Sequence, residues 1–197
     1  LGLSEPWPAT DRAGCNVVSA GETNPGPPAW VSEALQAPVS EAEVLHDGAL
    51  LRYRSWGTPG LPGLVLIHGA MAHANWWDFI APRFADRFHV VAPHLSGMGD
   101  SEHRDAYSTA LFSDEVIAVM EHAGLGADTV VVGHSLGGAV ALTLGVRHAG
   151  RVRGIVMLDA PVSGGVAAAR TASLTVFVGG CQAVIERTRP LLACLGK

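Results

Sequence analysis

Thr129-Val130-Val131-Val132-Gly133-His134-Ser135-Leu136-Gly137-Gly138 runs from a β-branched segment, through a serine flanked by glycines, into the apolar, alanine-rich stretch 136–148. The first part reads as a buried strand and the last as a helix, so Gly133–Gly137 is a G-x-S-x-G turn between the two. The turn must be sharp, which puts its central residue in a strained backbone conformation. Small residues at 133 and 137 let the chain pass close to itself there. Such a bend lifts the Ser135 hydroxyl above the carboxyl edge of a sheet, at the positive end of the following helix. It also aims the main-chain N–H of Leu136 at the place where an oxyanion would form.

On either side, the pattern alternates strands with helices. Trp30–Gln36 reads as a short helix. Glu43–Leu45 and Leu50–Trp56 flank His46-Asp47-Gly48, a hairpin signal. Leu64–Ile67 and Phe88–Ala92 are short apolar runs suited to strands buried on both faces. Trp76–Phe84 is expected to be helical. Thr109–Ala123 carries apolar residues at helical spacing, with Ser108 or Ser113 as its cap and Gly124 at its end. Val152–Leu158 makes a fourth buried strand. The predicted fold class is therefore α/β: a doubly wound, mostly parallel sheet with an N-terminal antiparallel hairpin. His68-Gly69-Ala70 leaves a central strand at the same sheet edge as Ser135, where Ala70 or Met71 can offer a second N–H to the same oxyanion. His68 itself reads as structural.

Three domain-level parts are expected. Residues 1–28, rich in Pro, Gly, Ser and Thr, read as a flexible arm. Residues 29–161 form the core, and 162–197 a C-terminal βα segment packed on the same domain. In that last segment Ser163-Gly164-Gly165 is expected as a turn, Leu174–Val178 as a strand added to the sheet, and Ala183–Leu195 as a helix.

Composition narrows the function classes. The 197 residues are 48% hydrophobic and 16% charged, with a net charge of −5, so neither a nucleic acid nor an anionic membrane surface is expected as partner. Cys15, Cys181 and Cys194 are odd in number and have no metal-ligand or redox spacing, so neither a disulfide framework nor a metal site is expected. The first residues do not form a signal peptide and no apolar run reaches membrane-spanning length, which makes a cytoplasmic protein the expectation.

Taken in order, His68-Gly69, Trp76-Trp77, Ser96-Gly97-Met98-Gly99-Asp100-Ser101, Gly133–Gly138 and Leu158-Asp159-Ala160-Pro161 resemble the α/β-hydrolase superfamily, most closely its small esterase-like members. The likeness covers about residues 30–161, the front half of such an enzyme. It implies Ser135 as nucleophile, the N–H groups of Leu136 and Ala70 as oxyanion hole, and Asp159 as the candidate catalytic acid. Met71, Trp76 and Trp77 then stand at the substrate pocket, left shallow without the lid that usually follows the fourth parallel strand, and favour self-association. Relatives that open epoxides or remove halide use aspartate at the nucleophile position. Ser135 thus favours cleavage of a small ester or related acyl compound, with no cofactor.

The family's order is serine, acid, histidine. The nine histidines stand at 46, 68, 73, 89, 94, 103, 122, 134 and 148, none in the later segment where that order expects the base. His148 is expected ~19 Å from Ser135 by helical rise. Loss of the base costs about 10⁶-fold in rate, while an oxyanion hole with binding keeps about 10³–10⁴-fold over water. A weak serine hydrolase is the expectation, with a non-catalytic hydrolase-like scaffold as the alternative. Residues 159–197, with Asp159–Val166 and Leu174–Gly180, also resemble a fragment of the β-hydroxyacid dehydrogenases of the 3-hydroxyisobutyrate type. That likeness implies substrate contacts at Ser163, Gly164 and Gly165. The dinucleotide fingerprint is absent and Lys197 is the only lysine, so a dehydrogenase-related binding module is the third reading.

Overall fold

A computed structural model describes residues 29–157 and, beyond them, the strands at 162–163 and 175–176. The arm at 1–28, Asp159, the three cysteines and the helix expected at 183–195 lie outside the described residues. The chain divides into two units, one of them Gly26–Asp159.

Within that unit the elements are α1 (Ala29–Leu35), β1 (Ser40–His46), β2 (Ala49–Trp56), β3 (Gly63–Ile67), β4 (His89–Pro93), α2 (Thr109–His122), β5 (Val130–Gly133), α3 (Leu136–Arg147) and β6 (Gly154–Met157). The sheet order is β1-β2-β4-β3-β5-β6. β1 and β2 form the expected hairpin, and β2 also runs antiparallel to β4. The pairs β3–β4, β3–β5 and β5–β6 are parallel. In the hairpin turn Asp47 and Gly48 have φ of 46° and 75°, the positive pair that matches the twist of the flanking strands.

The central strands divide their side chains by alternation. Val65, Ile67, Val91 and Val131 join the cluster that α2 and α3 cover with Phe112, Val116, Met120, Val140 and Leu144. Leu64, Leu66, Val90 and Ala92 face the other way, with Trp56, Ala74 and Ala81. This period-two division explains why β3 and β4 are apolar at nearly every position. Ser108 caps α2 by accepting from the Leu111 N–H at 3.0 Å. Gly124, at φ 72°, ends that helix, with the Leu125 N–H reaching back to the Met120 carbonyl.

Two expectations need correction. Trp76–Phe84 is not one helix but two 3₁₀ turns, Ala74–Trp77 and Ala81–Phe84. Pro82 has no N–H to continue an α-helix from the preceding turn. Val162–Ser163 (β7) pairs antiparallel with Thr175–Val176 (β8) in a two-stranded sheet, so Ser163 belongs to a strand; the rest of the turn expected at 163–165 and of the strand expected at 174–178 lies outside the described residues.

Candidate active site

Three loops leave the carboxyl edges of neighbouring strands: His68–His73 after β3, His94–Ser101 after β4, and His134–Ser135 after β5. β3 has β4 on one side and β5 on the other, so the chain order reverses at β3. In open α/β sheets, ligands bind at such a reversal, outside the carboxyl ends.

Ser135 occupies the strained position its motif requires, with φ 53° and ψ −115°. It is exposed, and its hydroxyl makes no hydrogen bond among the described residues. The bend is held by close backbone contact. The His134 N–H donates to the Ile67 carbonyl at 3.0 Å, and the N–H groups of Gly137 and Gly138 close the first turn onto His134 and Ser135 at 2.8 Å each. A Cβ on Gly137 would run into the carbonyls of Ile67 and His68, so α3 can start this close to β3 only with glycine there. The loop after β3 lies against the same bend. A Cβ added to Gly69 would stand 2.8 Å from His134 Nδ1 and 3.3 Å from Ser135 Cβ. Among the described residues, neither the Ala70 nor the Leu136 N–H donates to another main-chain group.

Met71 is 97% exposed, with φ 56°, and Trp76 is 54% exposed. The Trp76 ring stacks on His134 with centroids 5.7 Å apart. Trp77 does not accompany them. It packs against the buried cluster of Trp56, Leu64 and Leu66, because successive side chains of a 3₁₀ turn diverge by a third of a revolution.

Six other histidines are hydrogen-bonded to groups other than Ser135. His68 is fully buried: its Nδ1–H donates to the Gly69 carbonyl at 2.8 Å, and its Nε2 accepts from the Leu95 N–H at 3.2 Å. Burial holds its pKa below the usual value, and both ring nitrogens are committed to the backbone, which confirms the structural reading. His94 Nδ1 accepts from the N–H groups of Ala74 and Asp100, both at 3.4 Å. Burial pushes its pKa down to about 4, against the opposing pull of Asp100. His73 pairs with Asn75, His103 with Tyr107, His122 with Tyr53, and His148 with Asp114 at 2.7 Å. Burial lowers the pKa of His89 as well.

A feature that sequence patterning missed lies beside Leu136. Ser96, Met98, His103, Tyr107, Phe112 and Leu136 line a cavity of about 330 Å³. Its walls come from the loop after β4, the approach to α2 and the start of α3. No periodicity links such distant segments; only the sheet order brings them together.

The sheet order, the strained serine at the carboxyl edge and the glycine-backed loop beside it define a hydrolase fold of the α/β class. The family model described as alpha/beta hydrolase fold matches residues 62–177, more than half of the chain, and the chain belongs to that family. It is 32% identical over 127 residues to epoxide hydrolase A of Mycobacterium tuberculosis, covering 62% of this chain and 39% of that protein. To the 2-hydroxymuconate semialdehyde hydrolase of a Pseudomonas species it is 34% identical over 138 residues, covering 67% and 47%. Among solved structures, an N-acyl homoserine lactone degrading enzyme matches with a TM-score of 0.56 and 32% identity, covering 60% of this chain and 45% of that one. The chain thus spans less than half the length of these relatives. Among the described residues, no helix is long and apolar enough to cross a membrane.

Proposed function

We propose that this chain carries the nucleophile of a serine hydrolase that cleaves esters or related acyl compounds of small molecules. The observation that carries the reading is the backbone of Ser135: a non-glycine residue at φ 53° and ψ −115°, exposed at the carboxyl edge and backed by Gly69. Strain of this kind costs about 1–3 kcal/mol and persists only where the surroundings impose it, which is characteristic of functional sites. In this reading, Ser135 Oγ attacks the acyl carbon. The main-chain N–H groups of Leu136 and Ala70 receive the developing negative charge, and Met71 and Trp76 border the entrance. Asp159 is the candidate acid. The relatives include an epoxide hydrolase and a lactone-degrading enzyme. A serine rather than an aspartate at the tip favours the acyl chemistry of the second, since a lactone is a cyclic ester. Exposure of Met71 and Trp76 favours apolar contact there, self-association included, and a cytoplasmic setting belongs to the same reading.

Turnover by this chain is expected to be slow. Without a base on the hydroxyl, a serine enzyme keeps only about 10³–10⁴-fold acceleration over water from the oxyanion hole and binding. The absence of a hydrogen-bond partner for Ser135 Oγ among the described residues also favours a second reading, a hydrolase-like scaffold without catalysis, in which the dehydrogenase-like stretch at 159–197 has at most a binding role. Hydrolysis of short p-nitrophenyl esters separates the two. A slow rate that disappears in Ser135→Ala supports the first reading. A rate above about 1 s⁻¹, in the ordinary enzyme range, that is lost in that variant would rule out the scaffold. A rate that Ser135→Ala leaves intact would rule out Ser135 as the nucleophile.

A further inference from the structure

The 3₁₀ turn Ala74–Trp77 takes its cap from another loop. His73, the residue before it, makes no side-chain cap bond among the described residues, and Ala74 is fully buried, so water does not serve its N–H. The acceptor is His94 Nδ1, just past the end of β4, which takes the N–H groups of Ala74 and Asp100 at 3.4 Å each. A ring nitrogen that accepts two N–H groups carries no proton, so the proton of neutral His94 is on Nε2, 3.7 Å from Asp100 Oδ2. His94 is 3% exposed. Its ring stacks on that of His73 with centroids 6.2 Å apart, and a Cβ on Gly99 would collide with Nδ1. The ring is thus held between the loop after β3 and the loop after β4.

We infer that His94 is an acid-released latch: while neutral, its Nδ1 ties the loop after β3 to the loop after β4, and a proton on Nδ1 unties them. The latch itself does not depend on the nucleophile. Its consequence for catalysis rests on the reading of Ser135, because the loop after β3 carries Ala70, the proposed oxyanion donor, and Met71 and Trp76 at the entrance. His94 is a positioning residue in that reading, since it acts through the loop it holds. Protonation turns the shared acceptor into a donor facing two other donors. The buried Ala74 N–H is then left without an acceptor, an unfavourable state that opening of the turn to water relieves. Burial opposes the proton most. Asp100, on the same loop, favours it, while His68 and His73 after β3 and Arg54 on β2 oppose it. Glu41, Glu43 and Arg52 line the cavity of about 220 Å³ that His94 and Asp100 border, and both glutamates are matched by arginines, Glu41 by Arg54 and Glu43 by Arg52. The closed latch refuses a proton that the open one accepts, so it weakens as the pH falls from about 6.5 toward about 4.

Hydrogen exchange of the full chain, followed by mass spectrometry at pH 7 and pH 4.5 and corrected for the intrinsic rate at each pH, tests the latch. Peptides covering 70–78 and 96–101 are expected to lose protection by roughly tenfold or more at the lower pH, and peptides from β5 and α3 to lose less. His94→Asn puts an amide oxygen, which does not titrate, in the place of Nδ1. In that variant the loss at 70–78 is expected to shrink to that of β5 and α3. Equal loss in the two regions of the wild type, or an undiminished loss at 70–78 in His94→Asn, would overturn the inference. A second measurement needs no variant. Long-range proton–nitrogen NMR spectra of the wild type at pH 7 should show His94 Nδ1 without a proton, and a proton found there would overturn the latch as well. Neither measurement involves the Ser135 hydroxyl, so a failed latch leaves the nucleophile reading as it stands, and loss of that reading leaves the latch to be decided by these two results.

Discussion

The loops after β4 and β5 leave the same edge of one sheet and treat their polar groups in opposite ways. After β4, most polar atoms are tied to a neighbour. Ser101 Oγ donates to the His94 carbonyl at 2.7 Å and accepts from the Arg52 N–H at 2.8 Å. Glu115, 2% exposed, holds the Ser96 N–H and the Arg104 guanidinium, and Arg104 in turn donates to the carbonyls of His46 and Asp47. One buried ion pair thereby joins α2, the loop after β4 and the hairpin turn. After β5, the Ser135 backbone is strained, and its exposed hydroxyl has no partner among the described residues. Where polar groups are satisfied they set the shape of the edge; a strained, exposed serine on the same edge is the arrangement the proposed nucleophile requires.

The contrast can be broken from either side. The largest effect is expected from Glu115→Gln. Arg104 would keep its charge, only 11% exposed, without a counter-charge, and breaking a buried pair this way costs about 3–5 kcal/mol. Urea unfolding would show the loss, and a cost within about 0.5 kcal/mol, the range for ordinary surface changes, would mean the pair does not hold the loop. His94 gives the next effect. Its folded pKa of about 4 lies below the ordinary 6.5, so between those values the unfolded chain binds a proton that the folded protein refuses. Stability should therefore fall as the pH is lowered from about 6.5 to about 4, by about 3 kcal/mol from this group at most. Buried His68 and His89 act in the same direction. His94→Gln should flatten part of that slope in urea titrations at pH 7 and pH 4.5; an unchanged slope would place the sensitivity elsewhere. The smallest effect has the opposite sign. Ser135→Gly should raise stability by about 1 kcal/mol, since glycine takes a positive φ without strain. A loss of stability in that variant would show that the serine side chain supports the bend.

Legibility in the sequence followed the range of the interaction responsible. The hairpin turn at Asp47-Gly48, the Ser108 cap, the buried central strands and the bend at Ser135 depend on neighbours within a few residues, and all were readable. The place of Trp77 was not, because next neighbours on a helical turn diverge by about a third of a revolution, which sends Trp77 to the cluster of Trp56, Leu64 and Leu66 while Trp76 stays exposed. Ser163 was misread because its partner, Thr175, lies across a segment with no strong pattern. The cavity was invisible for a different reason: two of its lining residues, Ser96 and Leu136, are 40 positions apart and meet only through the sheet order.

Reaction with a fluorophosphonate tests the Ser135 bend most directly, because the reagent needs both a nucleophilic oxygen and donors for the charge that develops beside it. The expected result is a single adduct, mapped to Ser135 by peptide mass spectrometry, formed over minutes to hours and absent from Ser135→Ala. No adduct after hours, or an adduct on another residue, would contradict the assignment of Ser135 as the nucleophile.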